Sequence, residues 1–213
     1  MRKLIVLSFI TLDGVMQGPG GPGEDDSGGF KYGGWTVPYF DDVLGNVMGE
    51  QMGHPFDLLL SRTTYDIFAG YWPRRGDDDP AARVINRARK YVVTHRPVDH
   101  DWKTTIPING DVVGKIKQLK KEDGPEIQVH GSGNVIQTLL KNNLVDELWL
   151  KTFPVALGSG KRLFAEGTMP AGFVLNENRI SPSGVVVSSY ARSGEVKLGS
   201  FMLTGSSQEA TRD

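Results

Sequence analysis

Short apolar runs recur along the chain at intervals that suit the buried strands of a sheet. Each run is rich in Leu, Ile and Val, and each is shorter than an ordinary helix. The runs predict strands over residues 3–10, 56–60, 90–94, 127–130 and 147–153. Because both faces of each run are apolar, these strands are expected to be covered on both sides.

The segments between these runs carry apolar residues at helical spacing. They predict helices over residues 38–52, 61–68, 80–88, 111–121 and 134–141. Pro38 suits a first helical turn, and Asp41 and Asp42 suit the positive end of the first helix. Strands that alternate with helices indicate a largely parallel sheet with helices on both faces.

The last third of the chain follows a different pattern. Residues 173–180, 185–190 and 196–203 predict three strands, separated by Ser-Pro-Ser-Gly and Ser-Gly-Glu, which are typical hairpin breaks. These strands are expected to be antiparallel. The prediction is therefore a single α/β domain with a mixed sheet over residues 1–204, followed by a polar tail over 205–213.

A glycine-rich stretch runs from Gly14 to Gly34. A loop of this length in a compact domain is either functional or a loose surface insertion, and both interpretations stay open. The aromatic residues Phe30, Tyr32 and Trp35 predict that its far end packs against the domain. If the loop is functional, it is expected to act as a lid over a cleft.

Composition narrows the function. Lys and Arg total 24, Asp and Glu total 25, and the net charge is -1, so nothing favours nucleic acid or a membrane surface. The chain has no cysteine, which excludes disulfides, thiolate nucleophiles and iron–sulfur clusters and is compatible with the cytoplasm. The four histidines lack metal-ligand spacing, so no metal site is predicted. No apolar stretch approaches the roughly 18 residues of a membrane span.

The clearest candidate for chemistry is a strand–turn–helix unit over residues 127–140. Its turn is Gly131-Ser132-Gly133, and the helix after it presents free N–H groups and a partial positive charge. This arrangement binds phosphate, although an ordinary strand-to-helix turn explains the same residues.

Two further turns follow strands in the same way. Ser61-Arg62-Thr63-Thr64 offers a guanidinium and hydroxyls, or simple helix capping, and Thr94-His95-Arg96 offers cations, or a solvated surface loop. Ligands of open α/β sheets bind at the carboxyl ends of the strands. Two phosphate sites and an additional cation favour NADPH, whose 2′-phosphate requires a local positive charge.

The sequence resembles the dihydrofolate reductase-like superfamily, most closely the reductase domain of bacterial riboflavin biosynthesis and its stand-alone relatives. The resemblance is carried by collinear segments that span nearly all of residues 1–203: T-L-D-G at 11–14, G-G-W at 33–35, L-L-L-S-R-T-T-Y at 58–65, Y-V-V-T-H-R at 91–96, I-Q-V-H-G-S-G at 127–133 and L-V-D-E-L-W-L-K-T-F-P-V-A-L-G-S-G-K-R-L-F at 144–164.

This resemblance implies an NADPH-dependent reductase that forms a homodimer. It implies that Arg62, Thr63 and Thr64 contact the cofactor phosphates and that Thr94, His95 and Arg96 lie near its adenosine end. The pyrophosphate would be held by the turn and the start of the next helix, Gly131, Ser132, Gly133, Asn134 and Val135.

The same resemblance suggests a substrate like that of 5-amino-6-(5-phosphoribosylamino)uracil reductase. Asp13 and Asp41 are the candidate catalytic carboxylates, and Trp35, Lys151 and Phe153 are the candidate substrate contacts. Dihydrofolate reductases carry a carboxylate where this chain has Phe40, one residue before Asp41. Two alternatives stay open: a nucleotide-binding protein without turnover, and a true dihydrofolate reductase.

Overall fold

The computed structural model describes residues 1–76, 78–131 and 133–201. Within these ranges the chain forms one eight-stranded sheet in the order β4-β3-β2-β5-β1-β6-β8-β7. The strands are β1 Leu4–Thr11, β2 Phe56–Ser61, β3 Lys90–Val93, β4 Thr105–Ile108, β5 Glu126–His130, β6 Glu147–Phe153, β7 Gly172–Ile180 and β8 Val186–Gly194. The helices are α1 Asp42–Met52, α2 Arg62–Tyr71, α3 Pro80–Arg87, α4 Val112–Lys121 and α5 Gly133–Lys141.

Strand direction confirms the predicted α/β class. β1 pairs in parallel with β5 and β6, β2 with β3 and β5, and β3 with β4. β8 runs antiparallel to both β6 and β7. The carboxyl ends of β1, β2, β3, β5 and β6 therefore meet along one edge of the sheet.

Alternate residues of the central strands feed opposite cores. In β2, Leu59 packs with α4 and α5, whereas Leu58 and Leu60 pack with α2 and α3. All three are fully buried. No helix in the described ranges is long and apolar enough to cross a membrane.

Helix starts follow the capping residues of the sequence. Asp41, Ser61, Asp79 and Asp111 precede α1 to α4, and each side chain accepts a hydrogen bond from an N–H of the first turn. The first helix therefore begins at Asp42 and not at Pro38. Pro38 lies in a separate 3-10 turn, Val37–Tyr39.

Two strand predictions differ from the structure. β4 was not predicted, because its sequence Thr-Ile-Pro-Ile is short, half exposed and contains a proline. The strand expected over 196–203 is wrong for residues 196–201, which form no strand. β8 instead continues through the expected break to Gly194, and residues 202–203 and the polar tail lie outside the described residues.

The glycine-rich stretch is packed against the domain. Phe30 and Trp35 are buried, and Trp35 Nε1 donates to Gln17 O at 2.8 Å. Tyr32 lies on the ring of Phe30 and is about half exposed. At Gly33 a Cβ atom would lie 2.5 Å from Gly21 O, so this close approach requires glycine.

Candidate active site

A cavity of about 470 Å³ opens at the carboxyl ends of β1, β2, β5 and β6. Its walls come from these strands, from α1, α2 and α3, from the start of α5, and from the first half of the glycine-rich stretch. This is the edge at which α/β sheets bind ligands. The cavity has a polar part, beside the helix starts and the loop, and an apolar part between the helices.

Two helix N-termini border the polar part. Thr63 and Thr64 of α2 lie on one side, and Gly133 and Asn134 of α5 lie on the other. Gly131 stands between them with φ +70°, and a Cβ there would lie 3.8 Å from Thr64 Oγ1. The two turns predicted to bind phosphate are therefore adjacent, and their N–H dipoles favour an anion at this place.

Ser132, one of the residues predicted to hold the pyrophosphate, lies outside the described residues. Val135 is buried in the core beneath α5 and does not line the cavity.

Arg62 is turned away from the cavity. Its Nε donates to Asp66 at 2.8 Å and its Nη2 to Asp99 at 2.8 Å, and its Nη1 donates to Pro97 O. Asp99 and then Asp66 raise the pKa of Arg62. Because two carboxylates compensate its charge, the structure does not bring this guanidinium to the place where the N-termini would hold phosphate.

The turn after β3 forms a rim beside α2. Thr94 is buried, its Oγ1 donates to Arg96 O at 2.9 Å, and it accepts from Arg96 N at 3.1 Å. Thr94 thus shapes the turn, while His95 and Arg96 are exposed. None of the three lines the cavity, and no ion pair in the described ranges involves Arg96.

Lys151 lies in the cavity wall, on the β6 face that also carries Phe153. Its side chain is buried, and Nζ donates to Gln51 Oε1 of α1 at 2.8 Å. The ammonium also lies 5.3 Å from the centre of the Phe9 ring. Burial lowers the pKa of Lys151 to about 7.

His130, at the end of β5, faces the same cavity. Its Nε2 lies 2.9 Å from Gln128 Oε1, and its ring contacts Phe68 of α2. Loss of solvent and then the positive charge of Lys151 lower the pKa of His130 to about 3. The imidazole is therefore neutral at physiological pH.

The two candidate catalytic carboxylates lie outside the cavity lining. Asp13 accepts from the hydroxyl of Thr11 and from the N–H groups of Gly158 and Leu157, which joins the end of β1 to the loop after β6. The Thr11 bond, followed by the two backbone bonds, lowers the pKa of Asp13 to about 2. Asp13 is thus ionised, and its geometry is that of a structural tie.

Asp41 caps α1 and binds the β7–β8 turn. It accepts from Leu44 N at 3.1 Å and from Ser183 N at 3.1 Å. Desolvation opposes its ionisation, but these hydrogen bonds outweigh that effect and lower the pKa of Asp41.

Trp35 and Phe153 lie in the hydrophobic core next to the cavity. Phe153 is completely buried, and the two rings meet edge to face at 5.3 Å. Neither side chain lines the cavity. The structure brings Lys151 to the cavity but places these two aromatic residues behind its wall.

The glycine-rich stretch forms one wall of the polar part. Gln17 Nε2 donates to Asp25 O and Ser27 O, and its Oε1 accepts from Lys161 N. Lys161 Nζ pairs with Asp25 at 2.6 Å. Although burial opposes it, this ammonium together with Ser27 lowers the pKa of Asp25.

The apolar part lies between α1, α2 and α3. Its lining is Met48, Met52, Ile67, Phe68, Trp72, Ala81 and Ile85, with no charged residue among them. Such a wall suits a planar ring or an uncharged substituent and leaves a phosphate unpaired.

Sequence reasoning missed Gln51 and this apolar part. Met48, Gln51 and Met52 share one face of α1, because residues three and four apart are neighbours on a helix. A polar residue in that otherwise apolar stripe is the signal that could have identified Gln51.

The sheet order and the cavity define the dihydrofolate reductase-like class of α/β proteins. The chain belongs to the RibD C-terminal domain family, whose model matches residues 2–187. Two proteins of Bacillus subtilis (strain 168) are similar over most of their length. Uncharacterized protein YyaP is 28% identical over 190 residues, covering 87% of this chain and 92% of that protein. Uncharacterized protein YwjB is 32% identical over 172 residues, covering 78% of this chain and 85% of that protein.

Solved structures agree on the fold. A Shewanella sp. PV-4 protein assigned by its name to riboflavin biosynthesis has a TM-score of 0.65 at 21% identity, covering 90% of this chain and 99% of that one. Enterococcus faecalis dihydrofolate reductase complexed with NADP(H) has a TM-score of 0.55 at 14% identity, covering 90% of this chain and 96% of that one. Both of these neighbours are less than 25% identical to this chain, and they establish the fold alone.

Proposed function

We propose that the protein is an NADPH-dependent reductase of a small heterocyclic compound. One observation carries the proposal: two helix N-termini and the buried Lys151 face a single cavity at the carboxyl edge of the sheet. The N-termini suit the phosphates of a dinucleotide, and Lys151 suits a polar atom of a substrate. Its cytoplasmic location and a homodimer stay predictions.

The residues present fit such a cofactor. The backbone can approach a diphosphate closely at Gly131, and the hydroxyls of Thr63 and Thr64 add donors beside it. Arg96, next to His95 on the exposed turn after β3, supplies the positive charge that a 2′-phosphate requires. Bound there, a reduced nicotinamide would supply the hydride, and the protein would supply orientation and exclusion of water.

The substrate is narrowed by the apolar part of the cavity. The family resemblance suggests a phosphoribosylamino-pyrimidine. A phosphate in the apolar part, however, would find no charged partner among the residues that line that part. An uncharged substituent fits better. This observation favours a second candidate, a pterin reductase, although Asp41 caps a helix and does not line the cavity.

Cofactor oxidation tests the function. Purified protein is mixed with NADPH and a panel that contains the phosphoribosylamino-pyrimidine, its dephosphorylated form, dihydropterin and dihydrofolate. We expect oxidation with at least one heterocycle, and faster oxidation of the uncharged compounds. Tight NADPH binding without oxidation of any substrate would instead favour a nucleotide-binding protein without turnover.

A matched pair of glycine variants tests where the cofactor lies. Gly131 and Gly110 have φ values of +70° and +69°, and neither has a close neighbour, so alanine imposes similar backbone strain at both. We expect Gly131→Ala to weaken NADPH binding about tenfold or more, and Gly110→Ala to leave binding unchanged at a similar loss of stability. Equal binding by both variants would place the phosphates elsewhere.

A further inference from the structure

Lys151 is a buried cation whose charge the protein does not compensate. Its side chain is 3% exposed, and in the described ranges no carboxylate forms an ion pair with it. The one hydrogen bond that Nζ makes to a described residue goes to Gln51 Oε1. Since an ammonium has three protons to donate, two are left for a ligand in the cavity.

The elements packed around Lys151 offer little further charge. Phe9 of β1 lies beside it, and its partner on β8 is Val187. Four other titratable groups line the same cavity: His130 on β5, Glu24 and Asp25 in the glycine-rich stretch, and Lys161.

Gln51 has a donor that the protein leaves unused. Its Nε2 is buried and has no hydrogen-bond partner among the described residues. The orientation of the amide is fixed, because its Oε1 must accept from Lys151 Nζ. Two donors therefore stand side by side without an acceptor, and a buried donor without an acceptor is costly.

Two of the other cavity groups have no proton to release near neutral pH, because His130 is already neutral and Lys161 holds Asp25 ionised. Glu24 accepts from the N–H groups of Gly20 and Gly21, and the ammonium of Lys161 is paired with Asp25. Reduction of a C=N or C=O group nevertheless requires a proton for the heteroatom.

We propose that Lys151 is the proton donor of the reaction, and that Gln51 positions Lys151 and binds an acceptor atom next to the reduced bond. This inference rests on the proposed reductase function. It names the substrate class: a heterocycle with a reducible C=N or C=O group and a neighbouring carbonyl oxygen or ring nitrogen.

The proton step balances. The hydride would come from NADPH, which would be oxidised to NADP⁺. As the carbon of the C=N or C=O group gains this hydride, the heteroatom is left with an electron pair. That pair takes a proton from Lys151 Nζ, so a new N–H or O–H bond forms while an N–H bond of the ammonium breaks. Lys151 becomes a neutral amine and regains its proton from solvent. Burial places the pKa of Lys151 near 7, where a general acid works well.

Substitution of Lys151 distinguishes a proton donor from a positive charge that only holds the substrate. Arginine keeps the positive charge but does not release its proton, whereas methionine keeps only the length. We expect Lys151→Arg and Lys151→Met both to lower kcat by about 10²-fold or more. Lys117→Met, at an exposed position on α4, is the matched control and should keep wild-type kcat.

The Gln51 variants test the pH dependence. In the wild type, kcat should fall as pH rises through about 7, because the donor loses its proton. A carboxylate in Gln51→Glu stabilises the ammonium and should move this fall to higher pH. Removal of the acceptor in Gln51→Leu should move it to lower pH.

A second readout does not need turnover. Acetic anhydride reacts with neutral amines, so pulse labelling across pH followed by peptide mass spectrometry gives the titration midpoint of each lysine in the free protein. We expect a midpoint near 7 for Lys151, shifted in opposite directions by Gln51→Glu and Gln51→Leu.

The outcomes distinguish a failure of the proton-donor role of Lys151 from a failure of the reductase function. Wild-type kcat in Lys151→Arg, or an ordinary labelling midpoint for Lys151, overturns the proton donor while the reductase stands. If no substrate is reduced, the reductase falls, and the labelling midpoint still decides whether Lys151 is a poised acid.

Discussion

Lys90 and Lys151 are both buried, and the fold treats them differently. Lys90 of β3 is completely buried, and its Nζ donates to Asn86 O at 2.6 Å, Lys103 O at 3.1 Å and Thr104 Oγ1 at 3.3 Å, under the ring of Trp102. Lys151 has Gln51 and a cavity. Burial lowers the pKa of both lysines, so a perturbed pKa does not by itself identify a functional group. The two differ in the hydrogen bonds that Nζ makes, because Lys151 keeps donors that no described residue uses.

The same distinction applies to two arginines. Arg62 lies next to the helix N-terminus at the cavity, yet Asp66 and Asp99 occupy its guanidinium. Arg96 is exposed at the rim. The charge that the protein leaves uncompensated is the better candidate for a ligand contact.

The largest effect on stability is expected at Lys90. Lys90→Met removes the donor from three buried acceptors, and each acceptor left unpaired is costly, so we expect the free energy of unfolding to fall by about 2–3 kcal/mol. Lys151→Met removes a buried charge that has no compensating partner, so we expect the free energy of unfolding to rise. Urea unfolding of both variants measures the difference. Equal losses would mean that Lys151 is structural as well.

The arginine comparison is tested by cofactor preference. We expect Arg96→Ala to weaken NADPH roughly tenfold more than NADH, because a charge-assisted contact to the 2′-phosphate is lost. Arg62→Ala should weaken both cofactors to a similar degree, because it loosens the turn at Pro97. Fluorescence titration with each cofactor supplies the ratio. A selective NADPH loss in Arg62→Ala would restore the original assignment.

Asp41 offers a smaller effect. Asp41→Ala removes the cap of α1, so Tm should fall by roughly 2–4 °C. Because Asp41 does not line the cavity, the pH at which kcat declines should stay that of the wild type. A displaced decline would return Asp41 to the list of proton donors.

The stability of the protein should also depend on pH. Both lysines titrate at about 10.5 when unfolded and lower when folded, Lys151 at about 7 and Lys90 at about 8. Between these values the unfolded state binds more protons, so stability rises with pH from about 7 toward 10.5. Below pH 7 both states are charged and burial is fully unfavourable. In Lys151→Met the rise should begin near pH 8, which urea unfolding across pH detects.

Local pattern predicted the sheet well. Apolar runs located β1, β2, β3, β5 and β6, and the change of pattern after Phe153 predicted the antiparallel strands. β4 was not predicted, because its short sequence with Pro107 at the third position is typical of a loop. The strand prediction is wrong for residues 196–201, because β8 continues through the predicted turn to Gly194.

The site was harder to predict. Thr63, Thr64 and Gly131 follow from the rule on strand ends, and Lys151 follows from alternation along β6. The same alternation put Phe153 on that face, but only packing against Trp35 decides that it lies behind the cavity wall. Asp99 meets Arg62 from 37 positions along the chain, and no local pattern reveals such a pair.

The side chain of Gln17 has a kinetic consequence. One amide group holds Asp25, Ser27 and Lys161 together beside the cavity. A molecule that enters on this side displaces these bonds, so we expect an aliphatic side chain in place of that amide to accelerate the exchange of bound molecules.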